Sequence, residues 1–188
     1  MIKTIDGRNG LHVATQKNNK SAIDHLISMK FPLNIRINGG PTALTIASEL
    51  GHFDTVKALL DAGANINKLS EQGDGALLKA IEQSHNDIAY YLIERGAKMV
   101  LSTKYRDKSP LFQVIETQNV EMLKIFKKYN VDLTAKTSSG QSLLKFAADK
   151  GLTKIMNYLI KRMPNLDQED DTGFTIFTKY LLKGEFDI

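Results

Sequence analysis

Residues 40–67 read GPTALTIASELGHFDTVKALLDAGANIN, and the rest of the chain is a set of variations on this stretch. Thr42, Ala43, Leu44 and Ala47 open a short apolar helix, which Leu50-Gly51-His52 breaks. Val56, Leu59 and Leu60 give a second helix its buried stripe, and Gly63-Ala64-Asn65-Ile66-Asn67 ends it. The skeleton returns at a fixed period. Leu11, Leu44 and Leu77 lie 33 residues apart, as do Ala14, Ala47 and Ala80. One extra residue precedes Leu111, after which Leu144 and Phe177 resume the spacing. A period of this length marks an array of small units that bury their apolar faces against one another.

The stretch resembles an ankyrin repeat, whose pattern runs G-x-T-P-L-H-x-A-A-x-x-G-H and then V-x-x-L-L-x-x-G-A-x-x-N. The resemblance implies an all-α ankyrin-repeat solenoid of helix-turn-helix units with projecting β-hairpin-like fingers. It extends over residues 1–188 as a single ankyrin-repeat domain, with repeats at 4–34, 37–67, 70–100, 104–134 and 137–167 and a partial sixth at 170–188.

Several positions carry local signals. Gly63 and Gly96 fall where a second helix terminates in a left-handed residue, which glycine adopts without steric cost. Asn130, the next most tolerant type, takes that place in repeat four. In repeat one Phe31-Pro32 stands there instead, and Pro32 is expected to stop the helix because it cannot continue the hydrogen-bond ladder. Pro110 suits a first helical position, where its missing N–H costs nothing. Thr42, Ser109, Ser142 and Thr175 are placed to cap first helices, Asn9 substitutes for them, and Gly75 has no side chain to do so. Only His12 keeps the histidine of the Thr-Pro-Leu-His box, so a hydrogen-bond network repeated along the stack is not expected. The sixth repeat lacks its second helix. Either more chain follows in the full protein, or Phe186 and Ile188 fold back as a cap.

Composition excludes several classes. The absence of cysteine rules out disulfides, thiolate metal sites and a cysteine nucleophile. MIKTIDGRNG has no apolar leader core, and no run approaches the length of a membrane span. A cytoplasmic location is expected, or the host cytosol for an effector exported without a leader. The net charge of +4 is unevenly placed: residues 98–165 carry thirteen basic and five acidic side chains, residues 166–188 two and six. Such asymmetry points either to an anionic partner or to a solvated Lys-rich face. The excess of Lys over Arg, with many Ile and Asn, fits an AT-rich microbial genome.

No constellation for catalysis emerges. His52 and His85 are equivalent positions one repeat apart, roughly 10 Å, too far for one metal ion. His12 and His52 match structural positions of the pattern, and His25 lies beside Asp24. Gly39-Gly40-Pro41-Thr42 lacks the Gly-Lys-Thr/Ser of a phosphate loop. Glu169, Asp170 and Asp171 lack the spacing of a calcium loop. The expectation is therefore no catalytic residue, no cofactor, no metal, no small-molecule substrate and no enzyme activity in this segment.

The resemblance implies where a partner binds: at the fingers and near the ends of the first helices, along a concave face. Mapped here, the fingers contribute Asn38 and Pro41; Glu71, Gln72 and Asp74; Tyr105, Arg106 and Lys108; and Ser138, Ser139 and Gln141. Ile5, Asp6 and Arg8, and Asp171, Thr172 and Phe174, complete them. The first helices add Glu49 and Leu50, Glu82 and Gln83, Glu116 and Thr117, with Gln16, Lys17, Asp149 and Lys150. The extra residue between Gly96 and Ser109 lengthens the fourth finger, whose Tyr and Arg are types enriched at binding hot spots. The basic excess falls instead on second helices, at Lys124, Lys127, Lys128, Lys154, Lys161 and Arg162. The expected function is recognition of another protein. The alternative is a recognition arm of a larger enzyme or of a secreted bacterial effector. A third reading, anionic lipid or nucleic acid bound through repeats four and five, ranks lower. Nucleic acid is disfavoured because basic residues and aromatics coincide only at Tyr105–Lys108, and a membrane partner is likewise disfavoured.

Overall fold

The structure, a computed structural model, describes residues 7–99, 107 and 109–162. Expectations for Thr175, Phe186, Ile188 and the sixth repeat lie outside the described residues. Within them the chain alternates short and longer helices: α1 (Gly10–Gln16), α2 (Lys20–Ser28), α3 (Ala43–Glu49), α4 (Phe53–Asp61), α5 (Ala76–Glu82), α6 (Asn86–Glu94), α7 (Pro110–Glu116), α8 (Val120–Lys128), α9 (Leu143–Asp149) and α10 (Thr153–Ile160). Each repeat thus supplies one helix pair. The chain forms two compact units, one up to Gln113 and one from Val114 onward.

In the first unit α1 packs on α3 and α3 on α5, while α2 packs on α4 and α4 on α6. The first helices approach closely because small residues face their neighbours: Ala43, Ala47 and Ala80 are wholly buried. Leu59, Ile88 and Leu92 fill the space beneath the second helices and are equally buried. On the outside, the rings of Phe53 and Tyr91 meet at 5.3 Å between centroids, and Arg95 donates to Asp61 at 2.8 Å. In the second unit α10 packs on both α8 and α9, around Leu123, Phe126, Ala147, Ile155 and Leu159.

The second helices of repeats one to four end in one way. Gly63, Gly96 and Asn130 adopt φ of +90°, +88° and +55°. The next residue then donates back to the carbonyl five positions earlier, Ala64 to Leu59 and Ala97 to Leu92 at 2.9 Å each and Val131 to Phe126 at 3.0 Å. Repeat one corrects the expectation for Pro32. Helix α2 stops at Ser28, Lys30 takes the left-handed place at φ +54°, and Phe31 donates to Leu26 at 3.1 Å. The stacking geometry demands that turn, so the chain holds even a lysine there.

First-helix caps follow the sequence in all but one described case. Asn9 accepts from Leu11 and His12, Thr42 from Thr45, and Ser142 from Lys145, whereas Gly75 offers nothing. Ser109 does not cap: its hydroxyl is buried without a partner. Pro110 has no N–H, the Leu111 N–H goes to the Met99 carbonyl at 3.0 Å, and the Ser109 carbonyl takes those of Phe112 and Gln113 at 3.0 and 3.2 Å, so the first turn has no donor left for the side chain.

One set of cross-repeat hydrogen bonds comes from a histidine column outside the eroded box. His52 donates through Nδ1 to the Thr15 carbonyl at 3.1 Å, and His85 through Nε2 to the Glu49 carbonyl at 3.1 Å. Both histidines precede a second helix and reach the end of the preceding first helix. Asn19 and Asn119, at the same register, cap their own helices instead. His12 acts as the box expects: it accepts from the Asn9 N–H at 3.2 Å and donates to the Ile35 carbonyl at 3.0 Å.

Ala47→Asp places an unpaired charge between stacked helices. The expected result is loss of the cooperative melt or aggregation. Gly63→Val meets no neighbouring atom at its Cβ, so its cost is backbone strain alone, about 1–2 kcal/mol. Urea unfolding of both variants against the parent checks the pair.

Candidate protein-binding surface

Three finger tips are described, and each closes by the same pair of backbone bonds. Ile37 donates to Pro41 at 3.1 Å, Ser70 to Asp74 at 2.9 Å and Thr137 to Gln141 at 2.9 Å. Gly40, Gly73 and Gly140 donate back to Ile37, Ser70 and Thr137. The residue opening the tip decides what else holds it. The Ser70 hydroxyl accepts from the N–H groups of Gln72 and Asp74, and the Thr137 hydroxyl from that of Gln141. Ile37 has no hydroxyl. There, Asn38 and Gly39 both adopt positive φ, +43° and +78°, the tight hairpin turn that Asn-Gly favours. A bridge between Lys136 and Ser142 makes the fifth finger hairpin-like, as expected.

The second and third fingers are tied together. Glu71 donates its N–H to the Gly39 carbonyl at 2.8 Å, and Arg36 lies 3.6 Å from the Glu71 carboxylate. Asn38, Glu71 and Gln72 are exposed at the tips, while Pro41 and Asp74 are half-buried at their bases.

At the ends of the first helices, Glu49 and Glu82 are half-buried and Gln83 is exposed. Leu50 caps α3 with 44% of its surface in solvent. Among the described residues it is one of two large hydrophobic side chains so exposed, the other being Met29. Lys79, which the sequence reading passed over, organises this surface. Its ammonium lies 2.8 Å from Glu82 and 3.9 Å from Asp74. Burial alone would lower its pKa, but the hydrogen bond it donates to Glu82 and the charges of Glu82, Asp74 and Glu49 outweigh that and raise it. The available signal was the i, i+3 spacing of Lys79 and Glu82 on one helix. Three expected site carboxylates thus surround one cation.

In the second unit the corresponding residues pair with one another. Lys150 lies 2.7 Å from Glu116, and Gln141 donates to Asp149 at 3.1 Å. Thr117, Ser138 and Ser139 are exposed beside them. Tyr105, Arg106 and Lys108 lie outside the described residues, as do the first and sixth finger positions other than Arg8.

The fold and finger geometry agree with comparisons to known proteins. A family model described as ankyrin repeats (3 copies) matches residues 11–103 and again 77–170. The chain belongs to the ankyrin-repeat family. It is 28% identical over 126 residues to BCL-6 corepressor-like protein 1 of Homo sapiens, covering 66% of this chain and 7% of that protein. It is 22% identical over 197 residues to the B-cell lymphoma 3 protein homolog of Mus musculus, covering 83% and 44%. A putative ankyrin repeat protein, L371, of Acanthamoeba polyphaga mimivirus is 24% identical over 159 residues, covering 85% and 21%. The chain therefore spans less than half the length of these curated relatives. Ankyrin repeats are in general protein–protein interaction modules. No helix among the described residues is long and apolar enough to cross a membrane.

Two outcomes follow from this geometry. Ser70→Ala removes a buried acceptor from two finger N–H groups and costs about 1 kcal/mol. Amide exchange at Gln72 and Asp74 reports it. The raised pKa of Lys79 stabilises the fold fully below the ordinary lysine range, and that contribution fades as pH climbs through the raised folded value. The stability gap between parent and Glu82→Gln, measured by urea titration, therefore narrows only in strong alkali.

Proposed function

We propose that this ankyrin-repeat chain binds a partner protein through its finger tips and first-helix ends and carries out no chemistry itself. The observation that carries the reading is Leu50. A large apolar side chain stands in solvent at the end of α3, in the register that the family resemblance gives to partner contact. Glu49, Glu82 and Gln83 provide polar groups around it, the arrangement of an apolar anchor within a polar rim. Affinity capture with the intact chain and with Leu50→Arg tests this directly. The reading expects at least one protein retained by the parent and lost by the variant; identical captured sets overturn it.

The fourth finger belongs to the same reading on composition. Tyr105 offers large area at low entropy cost, and Arg106 offers a planar fork for carboxylates. The combined change Tyr105→Ala, Arg106→Ala and Lys108→Ala is expected to weaken the captured partner by at least about 2 kcal/mol, with circular dichroism unchanged. By contrast, Lys127→Glu, Lys128→Glu and Lys161→Glu together leave that affinity within about tenfold, because remote charges act mainly on association rate.

A second reading, a recognition arm within a larger enzyme or effector, is supported by the small share of each relative that the chain spans. It places the same surface in the same role.

A further inference from the structure

The second unit sorts its charges to one side. From Val114 to Arg162 it carries nine Lys and Arg against four Asp and Glu. All four carboxylates are already engaged. Glu116 pairs with Lys150 at 2.7 Å, Glu121 with Lys124 at 2.6 Å and Asp149 with Lys145 at 3.9 Å. Asp132 accepts from the Thr134 hydroxyl at 2.6 Å and its N–H at 2.8 Å, the two bonds that hold its pKa down. Among the described residues this leaves six exposed cations with no carboxylate partner: Lys136 on the fifth finger, and Lys127, Lys128, Lys154, Lys161 and Arg162 on or just after the second helices.

Helical arithmetic collects the last five. Met122, Leu123 and Phe126 turn one side of α8 into the core, so Lys124, Lys127 and Lys128, at i, i+3 and i+4, occupy the outer side. Ile155, Met156 and Leu159 bury one side of α10, and Lys154 and Lys161, at i and i+7, share the other. The two helices pack together, so the outer stripes run side by side. Arg162 continues the second stripe, its guanidinium over the Tyr158 ring at 4.3 Å.

We propose that this outer face of α8 and α10 docks on an anionic phospholipid surface. Clusters of four to eight basic residues on an amphipathic helix face suit such a surface, which presents diffuse negative charge. Four of the five such cations on this face are lysines, point charges without the planar fork that reads a defined phosphate or carboxylate. Nucleic acid would use aromatic platforms for its bases, but Tyr158 and Phe126 on these helices are buried. The face has no exposed large hydrophobic residue to insert, so attachment is electrostatic, reversible and sensitive to salt. It lies on second helices, away from the fingers, and does not depend on the partner reading above.

The test is sedimentation of the full chain with vesicles of phosphatidylcholine alone or mixed with phosphatidylserine, at low and high salt. Expected are partition onto the anionic vesicles at low salt and release at high salt. Lys127→Glu, Lys128→Glu and Lys154→Glu together are expected to lower the partition coefficient by at least about a hundredfold, the loss of roughly a fivefold contribution per charge. The neutralising pair Lys128→Gln and Lys154→Gln gives a smaller drop in the same direction and serves should the triple variant misfold. Equal binding to neutral vesicles, binding that survives high salt, or unchanged binding by the folded variants overturns the proposal. So does tight binding to a short RNA or DNA duplex in a gel shift with no vesicle binding.

Discussion

The distance at which one first helix can approach the next governs the first unit. Between α1, α3 and α5 that approach is set by Ala14, Ala47 and Ala80, the positions that define the period. A methyl side chain lets backbones come close enough for Leu44 and Leu77 to fill the space beside them. Everything at the ends of those helices then has a fixed place. His85 reaches the Glu49 carbonyl, and Glu71 reaches Gly39, because their backbones are held at that spacing. A larger residue at an alanine position would separate neighbouring repeats, and with them the fingers.

How much of this is legible in sequence depends on whether a feature is repeated. The period, the buried stripes and the glycine turns at Gly63 and Gly96 read directly, since each recurs at matched positions. Lys30 does not, because nothing marks a lysine as left-handed; only its register with Gly63 shows that the turn persists. Ser109 carries the residue type of a cap without its bond, because the Met99 carbonyl and its own carbonyl take the available donors. The cross-repeat histidines were visible as equivalent residues, but their acceptors are backbone carbonyls, which leave no trace in side-chain identity. The candidate surface was legible as a set of positions. Its electrostatics were not, because Lys79 draws Asp74, Glu82 and Glu49 together from a finger and two helices.

Net charge is likewise a poor guide to exposed charge. In the second unit, ion pairs gather on the finger side and within α8 itself, so most of what remains unneutralised lies on the outer face of two helices. The same number of lysines, distributed so that Glu116 and Asp149 faced outward, would present a much weaker positive exterior. It is the consumption of carboxylates elsewhere, rather than the count of cations, that gives that face its field.

The bonds from His52 and His85 have a consequence for how such a chain changes length over generations. Each donates to a main-chain oxygen at the end of the preceding first helix, and a main-chain oxygen is supplied by any unit, whatever its side chains. These two bonds therefore ask nothing of a neighbour's side chains, unlike the Arg95–Asp61 pair or the alanine contacts. A duplication or loss of one whole unit would join two surfaces that already fit, leaving each histidine an acceptor. Finger residues can then diverge in each copy without breaking these bonds, since no finger side chain takes part in them.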